Sequence, residues 1–246
     1  MGLASAKALT ARGMNVFGVH FDRKSAMKTI EPEIEAMRSN GVQVEYMNMN
    51  AADPEKRSEA VAALKEKTGG KPLRTVLHSL AFGTLKRYFS DAPENELHQK
   101  QIEMTLDVMA HSLIYWVQEL RHAGLVARGS RIIALTSAGS HTAWPNYGAV
   151  SAAKAALEAH IRQIVLELGP DGVRANALCA GVVDTPALRK IPGHEALLQG
   201  AIDRNPSGRL TTPEDIGKAV SLLSLPEAEW ISGGIVFCDG GEDITG

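Results

Sequence analysis

The sequence predicts an α/β fold with a doubly wound parallel sheet, and two observations lead to that prediction. Six short apolar segments typical of strands alternate with six longer helical patterns along nearly all of the 246 residues. Most of the loops between them are short, as in strand–helix–strand units with helices on both faces of a sheet. Because no repeat, low-complexity tract or linker interrupts the alternation, residues 1–246 are predicted to form a single domain.

The first predicted element is a helix over 3–12, because Ala4, Ala6 and Leu9 favour helix and Gly13 stands at a C-cap position. The apolar runs predict strands at 15–20, 42–48, 73–79, 131–136, 173–179 and 234–238. The remaining helical patterns cover 26–39, 55–68, 95–122, 147–168 and 213–224.

The segment 181–212 carries neither pattern and is predicted to be irregular. An irregular stretch of this length inside a compact domain is typical of a substrate lid. We place that lid near 187–204, where several apolar side chains would cover an apolar substrate: Leu188, Ile191, Leu197, Leu198 and Ile202.

The order of the first two elements is unusual, because the helix precedes the first strand. In a doubly wound fold the first strand is central, and its glycine-rich turn holds a pyrophosphate. Here that strand and the leading glycines are not present, and Gly2 resembles the last glycine of the turn. The strands at 15–20 and 73–79 would then share no neighbour. We therefore expect Met1 to be an internal methionine, with the product starting about a dozen or more residues earlier; the alternative is a chain that simply begins with a helix.

Composition excludes several classes of function. Lys and Arg number 26 against 28 Asp and Glu, so the net charge of −2 gives no field for nucleic acid or an anionic membrane. No apolar run approaches the roughly 18–20 residues of a membrane span, and no secretory signal is recognised. Cys179 and Cys238 lie in apolar, strand-like segments and are predicted to be free thiols, which favours a cytoplasmic location. The eight histidines lack metal-ligand spacing, so no metal site is expected.

The most informative stretch is LTSAGSHTAWPNYGAVSAAKAALEA, residues 135–159, which leads from a strand into a long helix. Tyr147 and Lys154 are seven residues apart, so both side chains leave one helix face if the helix already includes Tyr147. An ammonium near a phenol favours the phenolate and makes the tyrosine a plausible proton donor. Such a pair also occurs on helix surfaces without any function.

Four further motifs accompany the Tyr147-x6-Lys154 spacing: HSLAFG (78–83), AGVVDTPALRKIP (180–192), NPSGR (205–209) and CDGG (238–241). With these motifs the chain resembles the Rossmann-like short-chain dehydrogenases/reductases over essentially its whole length. Within that superfamily it is most similar to the enoyl-acyl-carrier-protein reductases, notably the NADPH-dependent enoyl reductase III group. Two departures are that Met109 replaces an asparagine of ordinary members, and that Ala180 replaces a frequent proline.

The resemblance implies an oxidoreductase of fatty-acid synthesis that transfers a hydride from NADPH to the β-carbon of a trans-2-enoyl thioester. Tyr147 would stabilise and protonate the resulting enolate. Lys154 would bind the nicotinamide ribose and lower the pKa of the phenol. Ser137 occupies the place of a serine that orients a carbonyl in ordinary members, although a strand-end serine is also a common turn residue.

The resemblance also implies a set of cofactor contacts. Gly2 opens a helix whose N–H groups favour a phosphate. Arg23 and Lys24 would pair with a 2′-phosphate, which favours NADPH over NADH, unless they form an ordinary solvated turn. The remaining implied contacts are Asn50 and Ala51 at the adenine, Ser79, Leu80 and Ala81 at the ribose, and Val183 and Thr185 at the carboxamide and phosphates.

The implied substrate is an acyl-carrier-protein or coenzyme A thioester, and relatives suggest a homotetramer built through helices 95–122 and 147–168. One alternative is a 3-oxoacyl or other ketone reductase, which Ser137 supports and the shifted position of Tyr147 opposes. A second alternative is an inactive truncated relative that acts as a binding protein. Trp144, three residues before Tyr147, is a candidate wall of the acyl pocket.

Overall fold

The alternation of strands and helices is present in the computed structural model, which describes residues 1–186, 188–190 and 193–245, without the side chains of Lys24 and Lys190. The strands are β1 (Val16–His20), β2 (Val44–Asn48), β3 (Thr75–His78), β4 (Arg131–Ser137), β5 (Arg174–Ala180) and β6 (Ile235–Cys238). The helices are α1 (Gly2–Thr10), α2 (Lys24–Arg38), α3 (Pro54–Thr68), α4 (Gln99–Leu106), α5 (Ser112–His122), α6 (Gly148–Leu168), α7 (His194–Arg204) and α8 (Pro213–Leu223).

The described strands form two parallel sheets rather than one. β1 pairs with β2, and β3, β4, β5 and β6 follow one another in the second sheet. β1 and β3 share no hydrogen-bonded neighbour among the described residues, as the order of elements predicts. The α/β, Rossmann-like class with a parallel sheet is confirmed.

Helix α1 joins the two sheets on one face. Its Ala6 packs with Ile34 and Val44 of the two-stranded side, while its Leu9 packs against the cluster around Ile133 and Val220 of the four-stranded side. The approach of α1 to α8 is close, because a Cβ on Gly217 would lie 2.6 Å from the Ala4 carbonyl oxygen. The backbones can meet there only because residue 217 has no side chain.

On the opposite face one apolar core serves both sheets. Its centre is made of fully buried side chains such as Leu113 on α5 and Leu157 on α6. Phe17 of β1 and Val76 of β3 both pack against that core. Side-chain packing therefore holds the two sheets together where no backbone ladder connects them.

The ends of α3 and α8 follow local sequence signals. At α3, Asp53 accepts a 3.1 Å hydrogen bond from the Lys56 N–H, and Gly69 ends the helix in the left-handed region at φ 60°. At α8, Thr212 and Asp215 cap each other's backbone N–H groups in a capping box.

Two predictions of element bounds are wrong. The irregular segment 181–212 contains α7, whose residues are mostly good helix formers and whose Ala201 is fully buried. Helix 95–122 is two helices, α4 and α5, joined by a π-helical turn at Asp107–His111. Of the predicted lid, Ala187, Ile191 and Pro192 lie outside the described residues.

Within the described residues, none of the helices combines the length and apolarity that crossing a bilayer requires. In the same residues, His, Cys, Asp and Glu side chains form no cluster that could hold a metal ion. Cys179 is buried, Cys238 is half-buried, and both are free thiols.

Candidate active site

The candidate site lies along the carboxyl ends of the strands, which is where ligands bind in open α/β sheets. The strands β1 to β5 end at His20, Asn48, His78, Ser137 and Ala180. Because every pairing is parallel, these ends point to the same edge of each sheet. Most of the residues predicted from the sequence follow one of these ends within five positions: Arg23, Asn50, Ala51, Ser79, Leu80, Ala81, Val183 and Thr185.

Tyr147 and Ser137 lie on either side of the buried Gly139. A Cβ on Gly139 would be 2.6 Å from the Tyr147 ring and 3.3 Å from Ser137 Oγ, so this glycine permits their approach. The Ser137 hydroxyl is buried and has no hydrogen-bond partner among the described residues. The Trp144 ring stands 5.5 Å from the Tyr147 ring between centroids. An unpaired buried hydroxyl beside a half-buried phenol is a site prepared for a polar ligand atom.

The phenol of Tyr147 is in its neutral form. Burial raises the pKa of Tyr147, and the nearby Ser137 hydroxyl acts in the opposite direction. The charge of Lys154 is not among the causes of this shift, so the lowered phenol pKa expected from the sequence is not found. The reason is that desolvation disfavours the phenolate more than the surrounding dipoles favour it.

Lys154 is held against β4. Its Nζ donates a 2.7 Å hydrogen bond to the Leu135 carbonyl, and the residue is only 6% exposed. Burial lowers its pKa to about 8, and the Glu158 carboxylate opposes that shift. Tyr147 is the N-cap of α6 rather than its first residue, yet its carbonyl accepts from the Ser151 N–H and so begins the helix.

His78, the first residue of the HSLAFG motif, has a structural role that the motif alone does not predict. Its Nε2 lies 2.8 Å from Ser112 Oγ, and that hydroxyl donates to the Val108 carbonyl in the π-helical turn. Burial, assisted by the charge of Lys154, lowers the pKa of His78 to about 3, so the ring is neutral. Met109 lies in the same turn and is buried. His78 thus ties the end of β3 to the joint between α4 and α5.

Gly2 and Ser79 are brought together although they are far apart in the sequence. A Cβ on Gly2 would lie 3.5 Å from Ser79 Oγ, which places the first turn of α1 beside the loop after β3. That turn contains no acidic residue. Leu80 is half-buried and Ala81 exposed in the same loop. The arrangement offers helix N–H groups and a hydroxyl to an anionic group.

The loop after β2 is anchored by a side chain from a distant helix. Trp116 of α5 donates from its indole Nε1 to the Ala51 carbonyl at 2.9 Å. Within the loop, Asn50 Oδ1 accepts from the Ala52 N–H at 3.1 Å. No sequence signal connects Trp116 with Ala51, because they lie 65 positions apart.

The end of β1 carries an acid that the sequence analysis passed over. Asp22 Oδ2 lies 2.9 Å from Nδ1 of His20, and the Asp22 backbone bonds to the Asn48 side chain at both its N–H and its carbonyl. Arg23 is exposed next to it and is the N-cap of α2. The Lys24 side chain lies outside the described part of the chain. The sequence does show this acid, because Asp22 comes two positions after His20, where the predicted strand ends.

The loop after β5 supplies the remaining predicted contacts. Val183 is buried, and Thr185 Oγ1 accepts from the Leu188 N–H at 3.1 Å. Asp184 forms a two-bond pair with Arg189, both at 2.8 Å, which lowers the pKa of Asp184. The segment that follows Thr185 is therefore folded back on the loop.

These residues fit a bound dinucleotide. The unpartnered Ser137 hydroxyl and the helix N-terminus beside Ser79 leave polar groups available at two separate places along one edge. Arg23 stands apart from both, on the two-stranded side.

Comparison with known proteins gives consistent results. A family model described as "Enoyl-(Acyl carrier protein) reductase" matches residues 1–242. The chain is 30% identical to enoyl-[acyl-carrier-protein] reductase [NADH] FabI of Rickettsia felis over 89% of this chain and 80% of that protein. It is 29% identical to the protein of the same name from Buchnera aphidicola, over 69% of this chain and 64% of that protein.

The fold agrees with a crystal structure of enoyl-[acyl-carrier-protein] reductase (NADH) from Aquifex aeolicus. The TM-score is 0.84 at 25% identity, and the match covers 98% of this chain and 90% of that one. The prediction of NADPH is wrong, because these relatives are named for NADH. A local feature agrees with this correction: the Asp22 carboxylate precedes Arg23 and adds a negative charge at the end of β1, which disfavours a phosphate there.

Proposed function

We infer the activity from one premise: the chain belongs to the enoyl-(acyl carrier protein) reductase family of the short-chain dehydrogenases/reductases. We propose that it reduces the trans-2 double bond of an enoyl thioester with NADH. When bound, the cofactor supplies a hydride to the β-carbon. The chain's own residues bind the two molecules, exclude water and provide the proton.

Tyr147 is the proposed proton donor. Desolvation raises the pKa of this half-buried phenol, so it stays protonated at neutral pH and can donate a hydrogen bond to the thioester oxygen as negative charge develops there. The free Ser137 hydroxyl beside it is a second donor for that oxygen. Trp144 packs on the phenol and keeps water from that side.

Lys154 is proposed to donate to the nicotinamide ribose. Its Nζ carries three protons and uses one for the Leu135 carbonyl, so two remain for ribose hydroxyls. With a pKa of about 8, the ammonium is mostly charged at neutral pH. Burial at 6% exposure fixes the side chain in one place.

The nucleotide half is proposed to lie across the other strand ends. The first turn of α1, at Gly2, would face the pyrophosphate, and Asp22 would accept from the adenosine ribose. The loop at Asn50 and Ala51 would border the adenine. The residues proposed along the nicotinamide side are Ser79, Leu80, Ala81, Val183 and Thr185.

Helix α7 and the segments around it are proposed as the lid over the acyl chain, within a single catalytic domain of residues 1–246. The thioester carrier is proposed to be acyl-carrier protein, in line with the names of the relatives. We propose a homotetramer built through α4, α5 and α6, where Leu166 is an exposed apolar residue. The two free thiols support the cytoplasm as the compartment.

The observation that carries the proposal is the half-buried Tyr147 phenol beside the unpartnered, buried Ser137 hydroxyl. The test is NADH oxidation by the full chain with crotonyl and longer trans-2-enoyl thioesters. We expect steady turnover, with NADPH a poorer reductant. A folded protein that binds NADH but reduces none of these thioesters would overturn the proposal.

Ser137 also keeps a ketone reductase as a second candidate, because a hydroxyl next to a tyrosine is suited to polarising a carbonyl. Rates on matched 3-oxoacyl and trans-2-enoyl thioesters decide between the two. Faster reduction of the enoyl substrate favours the first candidate.

A further inference from the structure

Glu158 is a buried acid on α6 that the proposed mechanism does not use. It is 9% exposed, and its Oε1 accepts a 2.6 Å hydrogen bond from Thr136 Oγ1 of β4. A carboxylate is costly to remove from water unless its charge is balanced nearby. Its position therefore requires an explanation.

Glu158 and Lys154 lie on one face of α6, because they are four residues apart in a continuous helix. Consecutive residues of β4 hold them: the Leu135 carbonyl accepts from Lys154 Nζ, and the Thr136 hydroxyl donates to Glu158. Strand β4 thus holds the Lys154 ammonium and the Glu158 carboxylate at two adjacent residues.

The titratable groups that stand nearest this pair on β3, on β5 and at the start of α6 are uncharged. From β3, His78 faces Lys154 as a neutral ring with a pKa of about 3. From β5, Cys179 is a thiol, because burial raises its pKa to about 12 and the carboxylates of Asp243, Asp239, Glu158 and Glu242 add to that shift. Tyr147, at the start of α6, is a neutral phenol. Among the described residues, Glu158 is the group whose charge counteracts the effect of burial on Lys154.

We propose that Glu158 is a positioning residue of this site: its buried carboxylate, held by Thr136, is the counter-ion that keeps Lys154 in the ammonium form that binds the nicotinamide ribose. This inference rests on the proposed function, since it takes the ribose contact of Lys154 from there. Glu158 itself touches neither cofactor nor substrate.

The consequence is a dependence of cofactor binding on pH. Without the carboxylate, desolvation is unopposed and the pKa of Lys154 falls below about 8. Lys154 then loses its charge at a lower pH. NADH affinity should be retained in acid and lost as the pH rises, with the loss starting earlier than in the unaltered protein.

The test is NADH binding followed by nicotinamide fluorescence as a function of pH, with the full chain and its Glu158→Gln variant. A unit charge about 6 Å away at an effective dielectric constant of about 20 predicts a downward shift of the midpoint by about two pH units. Above both midpoints, that corresponds to roughly hundredfold weaker binding. This measurement of NADH binding does not depend on enoyl reduction. A protein that binds NADH but reduces no enoyl thioester would therefore contradict the proposed function and leave the role of Glu158 testable.

Three further variants separate charge from structure. Glu158→Asp keeps the charge and should restore the midpoint, and Glu167→Gln, an exposed acid on the same helix, should leave it unchanged. Thr136→Val removes the hydrogen bond to the Glu158 carboxylate but keeps its charge, so the pH midpoint of NADH binding should fall by a smaller amount. This variant decides the test if Glu158→Gln does not fold. If Glu158→Gln folds and its midpoint equals that of the unaltered protein, the proposal is wrong. If Glu158→Gln does not fold, an unchanged midpoint in Thr136→Val overturns the proposal instead.

Discussion

The four-stranded sheet and the two-stranded sheet differ in how they are buried. In β4 and β5, twelve of the fourteen positions are fully buried, six in each strand. In β1, all five positions are only partly buried, and β2 has one buried position among five. Central parallel strands are covered on both faces, whereas β1 has no strand neighbour on one side among the described residues.

The difference separates two parts of the proposed site. The groups proposed for chemistry, at Ser137, Tyr147 and Lys154, stand on or against the well-packed β4. The groups proposed for the adenosine, at Asp22 and Asn50, stand on the two-stranded sheet and are exposed. We infer that the reacting groups are held rigidly and that the adenosine side relies on side-chain links between distant elements.

The largest effect expected is on the chemical step. Tyr147→Phe removes the proposed proton donor on the well-packed side, so kcat should fall by about 10²–10⁴-fold. NADH affinity should stay close to that of the unaltered protein. Steady-state rates of NADH oxidation give kcat, and a fluorescence titration gives the affinity for NADH. Tyr115→Phe, on α5 and bonded to Asp107, is the matched control and should retain full activity.

A mutant with normal kcat would place the proton donor elsewhere. In that case, the reacting groups would not lie on the well-packed β4, and the proposed difference between the two parts of the site would be wrong.

The next effect is on stability and tests the contrast in packing directly. Ile133→Ala in β4 removes a side chain that is 1% exposed and should cost about 2–5 kcal/mol of unfolding free energy. Val19→Ala in the partly buried β1 should cost about 1 kcal/mol. Urea denaturation of both variants gives the two values. Equal losses would mean that the two sheets contribute equally to the folded state.

A smaller effect concerns cofactor choice at the exposed end of β1. Asp22→Asn keeps the shape of the side chain but removes the charge that repels a 2′-phosphate. The ratio of kcat/KM with NADPH to that with NADH should rise by about fivefold to tenfold, because charge-assisted bonds exceed neutral ones by about 1 kcal/mol. Glu31→Gln on α2 is the control. A ratio that does not change would remove Asp22 from the ribose site.

The smallest effect tests a link between the two sides. Trp116→Phe removes the indole bond to the Ala51 carbonyl, worth about 0.5–1.5 kcal/mol. KM for NADH should rise about twofold to tenfold while kcat remains unchanged. Trp230→Phe, at an exposed position, should change neither. A lowered kcat would show that the adenine loop also governs the reacting side.

Several features followed from the sequence because they depend on neighbours along the chain. Each of the six strands has a definite apolar run, and each was predicted within a few residues of its observed bounds. The caps of α3 and α8, which were not predicted, are also signals between neighbours along the chain. α7 was missed because Pro186, Gly193 and Pro206 suggested a loop, although the residues between them include good helix formers.

The cofactor prediction failed for a related reason. Two basic residues after β1 favoured NADPH, but the choice also depends on which group faces the ribose. The backbone of Asp22, whose acid we propose for the ribose, is held by the side chain of Asn48 on the next strand. A pairing of that kind across the sheet carries no signature in the sequence of either strand alone.

By itself, the sequence determined the alternation of elements, the α/β class and the spacing of Tyr147 and Lys154 on one helix, because periodicity and turn chemistry act over a few residues. The order of elements already separated β1 from β3, whereas the tertiary structure decided that one core packs against both sheets, that Ser137 is left without a partner beside Tyr147, and that Thr136 holds Glu158. These arrangements join residues far apart in the chain. They are set by which buried polar groups must find partners once the core has packed.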